Sequence, residues 1–310
     1  MNLNKKYKLI TILGPTACGK TVLAANLANL LNGEIISADS RQVYKKMNIG
    51  TGKDYQDYFV NDISVPYHLI DIVDPGYKYN VYEYQADFLN ALDDIRSRDK
   101  FPILCGGTGL YIEAVVSGYK LIKVPVNLKL RQSLELFSMD KLTEILSSMV
   151  ELHNVSDTSS RKRLIRAIEI QNYYKNNPGI NFDYPEIFNL FFGVNFDRDT
   201  VRKKITERLK IRMENGMIEE VQSLLDNGIL AEQLIYYGLE YKFITWFIQN
   251  KLTYEEMFIK LNTAIHQFAK RQMTWFRKME RSGKKIYWID GDLSMEDKIQ
   301  NIVDIIKSAK

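Results

Sequence analysis

Short apolar runs alternate with stretches of helical spacing through the first 110 residues. Four runs are bounded by glycine, proline or aspartate, as buried strands are: "YKLITIL", "GEIISADS", "YHLIDIVDP" and "FPILCGGTGLY". Two stretches between them repeat apolar residues at helical spacing: "KTVLAANLANLL" and "NVYEYQADFLNALDDIRSR". Strands that alternate with helices predict an α/β fold, a parallel sheet with helices on both faces.

The pattern changes between about residues 125 and 187, where strand signals are missing and three stretches have helical spacing. We therefore predict a small all-helical insertion domain, 125–187, within a catalytic core made of 1–124 and 188–310. "NLFFGV" returns to the sheet and "KKIYWID" adds a late strand, whereas the rest of the C-terminal part is predicted to be helical.

Signals for helix ends punctuate this C-terminal part. Gly216 and Gly228 are predicted helix stops, and Thr253 with Glu256 forms a predicted capping box. "LIYYGLEYKFITWFIQN" is predicted to be one helix.

The stretch "GPTACGKT" fits the phosphate-binding loop pattern and lies between a predicted strand and a predicted helix. Its residues are Gly14, Pro15, Thr16, Ala17, Cys18, Gly19, Lys20 and Thr21. Backbone N–H groups of such a loop face one anion, as does the positive end of the following helix. Lys20 would bind phosphate oxygens, and the Thr21 hydroxyl would bind a magnesium ion. The core is thus predicted to be P-loop NTPase-like, although such loops hold diphosphate as well as triphosphate.

Two further strand ends carry candidate chemistry. Asp39 follows the second predicted strand, where ligands collect in open α/β sheets. Position alone allows three roles for its carboxylate: a magnesium ligand through water, a general base, or a cap for the segment "RQVYKK". Thr108 lies in "GGTGLY", whose glycines allow close backbone approach or simply begin a helix.

Composition narrows the class of protein. The chain of 310 residues is 45% hydrophobic, enough for a sizeable core. Its two cysteines, Cys18 and Cys105, lack metal-ligand spacing, so a zinc site or disulfide framework is not predicted. The apolar run after the basic N-terminus is too short for a signal peptide, and no run is long enough to span a bilayer. We expect a cytoplasmic monomer without membrane partners.

The net charge is only +4, but basic residues are concentrated in three helical tracts. The tracts contain Lys270, Arg271, Arg277, Lys278 and Arg281; Arg161, Lys162, Arg163 and Arg166; and Lys204, Arg208 and Arg212. Each tract alone is compatible with a solvated helix face. Three tracts beside a phosphate loop favour contact with a phosphodiester backbone, where cations gain from counterion release.

Taken together, these segments resemble the tRNA dimethylallyltransferases, the enzymes that isopentenylate bacterial tRNA. The matching stretches follow the family order through nearly the whole chain: "GPTACGKT", "ADSRQVYKKMNIGTGK", "YHLIDIVDP", "GGTGLYIEA", "SSRKRLIRAIEI" and "AKRQMTWFRK". The resemblance implies that the loop holds dimethylallyl diphosphate, with Mg²⁺ as cofactor. It also implies that the acceptor is N6 of the adenosine 3′ of the anticodon, extruded from the tRNA loop.

The resemblance further implies roles for individual residues. Asp39 matches the general base, with Lys20 and Thr21 as its catalytic partners and Asp39 reaching the magnesium ion through water. Lys204 stands where the family usually presents an arginine to the diphosphate. The positions that match tRNA-binding segments are Asp39, Ser40, Arg41, Gln42, Thr108, Arg131, Lys162, Arg163, Leu164, Ile165, Arg166, Lys270, Arg271, Gln272, Trp275 and Arg277.

The sequence departs from the family pattern at Leu239 and Glu240, where relatives often carry tyrosine and then a basic or amide residue. Three alternative functions share parts of the pattern. An adenylate isopentenyltransferase acting on free AMP, ADP or ATP would share the loop and Asp39 but not need the basic tracts. A small-molecule kinase would hold ATP in the same loop. A non-catalytic nucleic-acid-binding module would have no use for Asp39 there.

Overall fold

A computed structural model describes residues 8–150, 160–178 and 184–309. The chain divides into two compact units, which we call the core unit (Met1–Tyr119 with Pro185–Lys310) and the helical unit (Lys120–Tyr184). The helical unit covers nearly the same residues as the predicted insertion 125–187. Segments 151–159 and 179–183 of that insertion lie outside the described residues.

The first part of the core unit contains β1 (Leu9–Leu13), α1 (Lys20–Leu31), β2 (Gly33–Ser37), β3 (Phe59–Val60), β4 (Ile63–Ser64), β5 (Tyr67–His68), α2 (Val81–Ser97), β6 (Phe101–Gly106) and α3 (Gly109–Val116). The helical unit contains α4 (Leu128–Leu134), α5 (Met139–Met149) and α6 (Arg161–Asn176). The core unit resumes with β7 (Asn189–Asn195), α7 (Arg198–Glu214), α8 (Met217–Asp226), α9 (Ala231–Tyr237), α10 (Leu239–Ile248), α11 (Tyr254–Arg281), β8 (Ile286–Asp290) and α12 (Met295–Ser308).

Six strands form one sheet in the order β5-β2-β6-β1-β7-β8, and every neighbouring pair is parallel. The predicted parallel sheet is therefore confirmed. Register aligns the strand ends, because Leu13 of β1 pairs with Gly106 of β6, and Ser37 of β2 pairs with Cys105. The loops that follow β1, β2 and β6 consequently lie along one edge of the sheet.

Helices cover the sheet, as the burial of all five residues of both β1 and β2 requires. Alternate residues of a strand point to opposite faces. On one face, Ile10 and Ile12 pack with apolar residues of α1 and α12, including Leu27 and Ile302. Helices α2 and α3 pack against each other, and both contact β6.

Local signals for helix ends were predicted correctly. Gly216 and Gly228 have φ of 91° and 88° at the ends of helices, a backbone conformation that glycine adopts without steric cost. Thr253 and Glu256 form the predicted capping box at the start of α11, a helix of 28 residues. Among the helices of the described residues, none combines the length and apolarity needed to cross a bilayer.

Two predicted elements were wrong in extent. "YHLIDIVDP" forms only the two-residue strand β5, because Leu69 and Asp71 have φ of 62° and 54° and turn the chain out of the extended conformation. The predicted single helix "LIYYGLEYKFITWFIQN" is two helices, α9 and α10, separated at Gly238 with φ of 151°.

Candidate active site

The phosphate loop, Gly14–Thr21, joins β1 to α1 as predicted. Ala17 and Gly19 both have left-handed backbone conformations, with φ of 64° and 74°, which curl the loop. The Lys20 ammonium folds back and donates a hydrogen bond to the Pro15 carbonyl over 3.3 Å. Its charge therefore lies beside the loop, ready for a phosphate group.

Gln272 on α11 ties the phosphate loop to the loop that follows β6. Its Oε1 accepts a hydrogen bond from the N–H of Thr16 over 2.8 Å, and its Nε2 donates to the Gly107 carbonyl over 2.9 Å. Gln272 is buried. We predicted Gln272 as a tRNA contact, but the structure uses both ends of its amide to join two loops of the site.

A cavity of about 260 Å³ opens in front of the phosphate loop. Its lining includes all of the loop from Thr16 to Thr21, together with Asp39 and Gln42. The remaining lining residues are Val22, Thr51, Gly52, Asp54, Asp57, Tyr58, Cys105, Gly106 and Arg208. The structure thus brings Thr16–Thr21 of the predicted phosphate loop and the predicted base Asp39 to a single cavity, whereas Gly14 and Pro15 do not line it.

Arg208, rather than Lys204, supplies the cation from α7. The Arg208 guanidinium donates a hydrogen bond to the Thr16 hydroxyl and lines the cavity. Burial, followed by the charge of Arg212, lowers the pKa of Arg208 to about 10, so the side chain stays charged at neutral pH. Lys204 is exposed, does not line the cavity, and its ammonium lies 4.8 Å from the centre of the Phe196 ring. The contact of Lys204 with the diphosphate stays a prediction, and the α7 cation that lines the cavity lies one helical turn further along the helix.

Asp39 lies two residues beyond the end of β2 and is only partly exposed. Its Oδ1 accepts the N–H of Arg41 over 2.9 Å, an Asx turn that fixes the carboxylate. The segment after Asp39 forms turns rather than a helix, so Asp39 does not cap a helix. One carboxylate oxygen is engaged by the backbone, and the side chain lines the cavity with Thr21.

Thr108 and Ser40 connect the ends of β6 and β2. The N–H of Ser40 donates to the Thr108 hydroxyl over 3.0 Å, and the N–H of Thr108 donates to the Ala38 carbonyl over 3.1 Å. Gln42 accepts from the Ser37 hydroxyl and donates to the Gly52 carbonyl. Hydrogen bonds to Ser37, Thr108 and Gly52 therefore hold the predicted segment around Asp39 in place.

Sequence reasoning missed the acidic residues that follow "NIGTG". Asp54 and Asp57 line the cavity, and Asp54 accepts a hydrogen bond from Arg212 over 3.0 Å. Burial raises the pKa of Asp57, as does the neighbouring Asp54. Asp57 lies in a short 3-10 helix, Tyr55–Tyr58, and Asp54 directly precedes it. A segment this short shows no periodicity, so only the carboxylates of "KDYQD" marked these positions in the sequence.

Glu240, where the sequence departs from the family pattern, interacts electrostatically with Arg212 and Arg208. Burial raises the pKa of Glu240, while the charges of Arg212 and Arg208 act in the opposite direction. The acidic side chain thus lies near internal guanidinium groups.

Helix α11 presents the predicted basic face. Lys270, Arg271 and Arg277 are exposed, whereas Phe276 is fully buried. Trp275 packs against Gly109, where an added Cβ would lie 2.4 Å from the indole ring. The buried indole N–H of Trp275 has no hydrogen-bond partner.

In the helical unit, Leu164 and Ile165 are corrected from predicted tRNA contacts to core residues. They are 0% and 3% exposed and pack in a cluster with Leu134, Leu142 and Leu146. The family segment matched as a whole, but helical spacing turns these two side chains inward. Lys162 and Arg163 are exposed on the same helix.

Arg131 and Arg166 both bind Glu169, which is buried in the helical unit. Arg131 makes a two-pronged contact, with Nε 2.9 Å and Nη2 2.7 Å from the carboxylate oxygens. Burial would raise the pKa of Glu169, but Arg131, the N–H of Asn127 and Arg166 together lower it to about 2. The side chains of Arg131 and Arg166 remain 32% and 38% exposed.

A phosphate loop, a carboxylate and a partly exposed guanidinium surround one cavity at the carboxyl edge of a parallel sheet. This arrangement defines an α/β protein of the phosphate-loop class. The IPP transferase family model matches residues 42–279, and the isopentenyl transferase model matches residues 7–62. The chain belongs to the IPP transferase family.

Relatives match over nearly the full length. The chain is 58% identical over 302 residues to tRNA dimethylallyltransferase 2 of Phocaeicola vulgatus, covering 97% of this chain and 98% of that protein. It is 55% identical to tRNA dimethylallyltransferase 1 of Parabacteroides distasonis, covering 98% and 99%.

Solved structures give the same result for the fold. The crystal structure of the full-length tRNA isopentenylpyrophosphate transferase of Bacillus halodurans matches with a TM-score of 0.70 and 32% identity, covering 97% of this chain and 95% of that chain. A eukaryotic dimethylallyltransferase captured acting on tRNA matches with a TM-score of 0.77 and 25% identity, covering 96% and 78%.

Proposed function

We propose that this chain is a tRNA dimethylallyltransferase. It transfers the dimethylallyl group of dimethylallyl diphosphate to N6 of the adenosine 3′ of the anticodon, position 37, and releases diphosphate. The observation that carries this proposal is the single cavity that joins Lys20, Thr21, Asp39 and Arg208. Membership of the IPP transferase family supports the reaction class, and relatives named for tRNA support the acceptor.

The cationic wall of the cavity binds and stabilises the diphosphate. As the bond between the allylic carbon and oxygen breaks, negative charge collects on the diphosphate oxygens. The ammonium of Lys20, the guanidinium of Arg208 and the loop N–H groups stabilise that charge as it develops. An allylic diphosphate needs little more, because its carbon centre ionises readily once the leaving group is stabilised.

Asp39 acts on the acceptor. The adenine N6 lone pair is delocalised into the ring, so the amine attacks well only if it loses a proton as the new carbon–nitrogen bond forms. The Asp39 carboxylate takes that proton. The Asx turn with Arg41 holds the carboxylate in place without neutralising it.

A magnesium ion fits the oxygen donors of the cavity. The Thr21 hydroxyl and the carboxylates of Asp39, Asp54 and Asp57 are hard oxygen ligands. Within the described residues, no group of three or more His, Cys, Asp or Glu side chains forms a metal cage. Such a cage is not needed for Mg²⁺, because substrate phosphates and water supply most of its ligands. We propose that Thr21 binds it directly and Asp39 through water. When bound, the ion would neutralise diphosphate charge.

The exposed cations of α11 and of the helical unit bind the tRNA. Lys270, Arg271 and Arg277 lie on the face of α11 opposite its buried residues, and Lys162 and Arg163 are exposed on α6. Extrusion of the adenosine from the anticodon loop costs a few kcal/mol, which phosphate contacts offset. We propose that the protein acts as a monomer. With tRNA as acceptor, we propose that the protein acts in the cytoplasm.

A donor and acceptor exchange tests the proposal. Purified protein with Mg²⁺ is given radiolabelled dimethylallyl diphosphate, with unmodified anticodon stem-loop RNA in one tube and AMP in another. Label only in the RNA is the expected result. Label only in AMP would identify a nucleotide prenyltransferase, and hydrolysis of ATP without any prenyl transfer would identify a kinase-like protein.

A stem-loop with guanosine at position 37 is the matched control for the acceptor atom. It keeps the phosphate backbone and lacks the N6 amine, so it should bind with similar affinity and take no label.

A further inference from the structure

The carboxylate of Glu220, on α8, binds three consecutive backbone N–H groups of the segment after β2. Oε2 accepts from Asn48 over 2.8 Å and from Ile49 over 2.7 Å, and Oε1 accepts from Gly50 over 3.0 Å. These contacts span about 170 residues of sequence. Successive N–H groups that converge on one anion form a nest, the same device that a phosphate loop uses. Here the anion is a side chain of the protein itself.

Tyr241 completes the contact from α10. Its hydroxyl donates to Oε1 of Glu220 over 2.7 Å, and its ring lies against Gly50. An added Cβ at Gly50 would come within 2.7 Å of that ring, so Gly50 must stay glycine for the segment to approach. Glu220 thus accepts four hydrogen bonds.

The segment held by Glu220 continues directly into the wall of the active-site cavity. Thr51 and Gly52 line the cavity. The N–H of Gly52 donates back to the Ile49 carbonyl over 3.1 Å, so the position of Gly52 depends on the residues that Glu220 holds. The Gly52 carbonyl in turn accepts from Gln42, another lining residue. A shift of residues 48–50 would therefore move the cavity wall.

We infer that Glu220 is a positioning residue for the prenyl diphosphate site, acting through the nest formed by the N–H groups of Asn48, Ile49 and Gly50. This inference rests on the proposed function and adds a residue outside the cavity to it. Glu220 does not line the cavity, so it acts only through the segment that it binds. Its effect should fall on the diphosphate substrate rather than on tRNA.

Glu220→Gln is the sharpest substitution, since it keeps the size of the side chain. The amide leaves one oxygen for four donors and points an NH₂ group at N–H groups that need an acceptor. N–H groups that lose their acceptor make the bound position of residues 48–50 less stable. The adjacent Glu219→Gln is the matched control, because Glu219 is exposed on the same helix turn and the charge change is identical.

Three measurements on the full-length variants test the inference. Steady-state kinetics gives KM for dimethylallyl diphosphate and for stem-loop RNA separately. Calorimetry with inorganic pyrophosphate and Mg²⁺ reports the diphosphate site without turnover. Hydrogen exchange reports the N–H groups of residues 48–50. For Glu220→Gln we expect a rise of about tenfold in both KM for the prenyl donor and Kd for pyrophosphate. We also expect faster exchange at residues 48–50 and an RNA KM within about twofold of the parent.

Tyr241→Phe removes one of the four donors to Glu220 and should give a smaller change of the same kind. It also keeps the test decisive if Glu220→Gln folds poorly. Equal losses for donor and RNA, or pyrophosphate affinity unchanged in both variants, would overturn the positioning role. Since pyrophosphate binding and exchange need no acceptor, they remain interpretable even if the parent protein prenylates AMP instead of tRNA.

Discussion

The side-chain oxygen of Gln272 accepts a hydrogen bond from the backbone N–H of Thr16, although the two residues are 256 positions apart in the sequence. The other end of the same amide binds the Gly107 carbonyl. The helix that carries the predicted tRNA-binding cations is therefore bonded directly to the phosphate loop.

Gln272→Met should weaken both stability and the donor site. Methionine has a similar volume but leaves the Thr16 N–H and the Gly107 carbonyl without partners, a cost of about 1–3 kcal/mol for a buried polar group. Chemical denaturation measures the loss, and KM for dimethylallyl diphosphate should rise with it. Thr274→Ala, an exposed change on the same helix, serves as control. Equal behaviour of the two variants would contradict a joining role for Gln272.

Asp39→Asn should reduce kcat for prenyl transfer by about 10²–10⁴-fold, the usual contribution of a general base. The amide retains the oxygen that accepts the Arg41 N–H but cannot take the N6 proton. Single-turnover transfer measures the rate, and filter binding should show tRNA affinity close to that of the parent. A variant that keeps more than about a tenth of the parent rate would rule out Asp39 as the base.

Arg208→Ala and Lys204→Ala should differ sharply. Loss of the Arg208 guanidinium from the cavity should lower kcat/KM for the donor by about 10²–10³-fold, as for other donors aimed at developing negative charge. Lys204→Ala should stay within about threefold, because its ammonium lies over Phe196 outside the cavity. Steady-state kinetics with saturating RNA separates the two. A larger defect for Lys204→Ala would restore the family-based assignment.

Lys270→Ala combined with Arg277→Ala should weaken tRNA binding and reduce the slope of log affinity against log salt by about two, one for each lost phosphate contact. Lys8→Ala with Lys100→Ala is the control pair. Both residues precede strands, at the amino edge of the parallel sheet and away from the cavity. Identical slopes for both double variants would mean that α11 does not bind the tRNA backbone.

Glu169→Gln should destabilise the helical unit in a pH-dependent way. Because the folded pKa of Glu169 is lowered from 4.5 to about 2, its charge contributes stability above pH 4.5, and the contribution disappears as pH falls toward 2. The contribution at neutral pH is at most about 3 kcal/mol. Hydrogen exchange of the α6 amides at pH 7 and near pH 3 measures it. A gap between parent and variant that persists unchanged at the lower pH would exclude this origin.

The sequence predicted the sheet well, because β1 and β2 are short segments with apolar residues, followed closely by glycine in one case and aspartate in the other. Phosphate-loop residues and Asp39 were also predictable, because each follows directly from a strand end. The break at Gly238 was not, since Tyr237 and Tyr241 on either side of it are both buried and keep the apolar pattern continuous.

Residues whose role depends on tertiary contacts could not be predicted from the sequence. Glu220 looks like any acidic residue in the first turn of a helix, and only the fold carries the N–H groups of Asn48 and Ile49 to it. Leu164 and Ile165 were assigned with their neighbours as a block, although their helical positions alone would have placed them in the core. Arg208 was visible in the basic tract, four residues after Lys204, but nothing in the sequence said which turn of α7 faces the cavity.

The bond between Thr16 and Gln272 also bears on competition among cellular polyphosphates. A loop N–H that already has an internal acceptor is withdrawn from the set that can wrap a chain of phosphates. A nucleoside triphosphate that needed the Thr16 N–H would first have to displace Gln272, forfeiting a hydrogen bond worth about 0.5–1.5 kcal/mol. An anion that the loop holds without the Thr16 N–H leaves this hydrogen bond intact. The bond therefore disfavours ligands that need the N–H of Thr16.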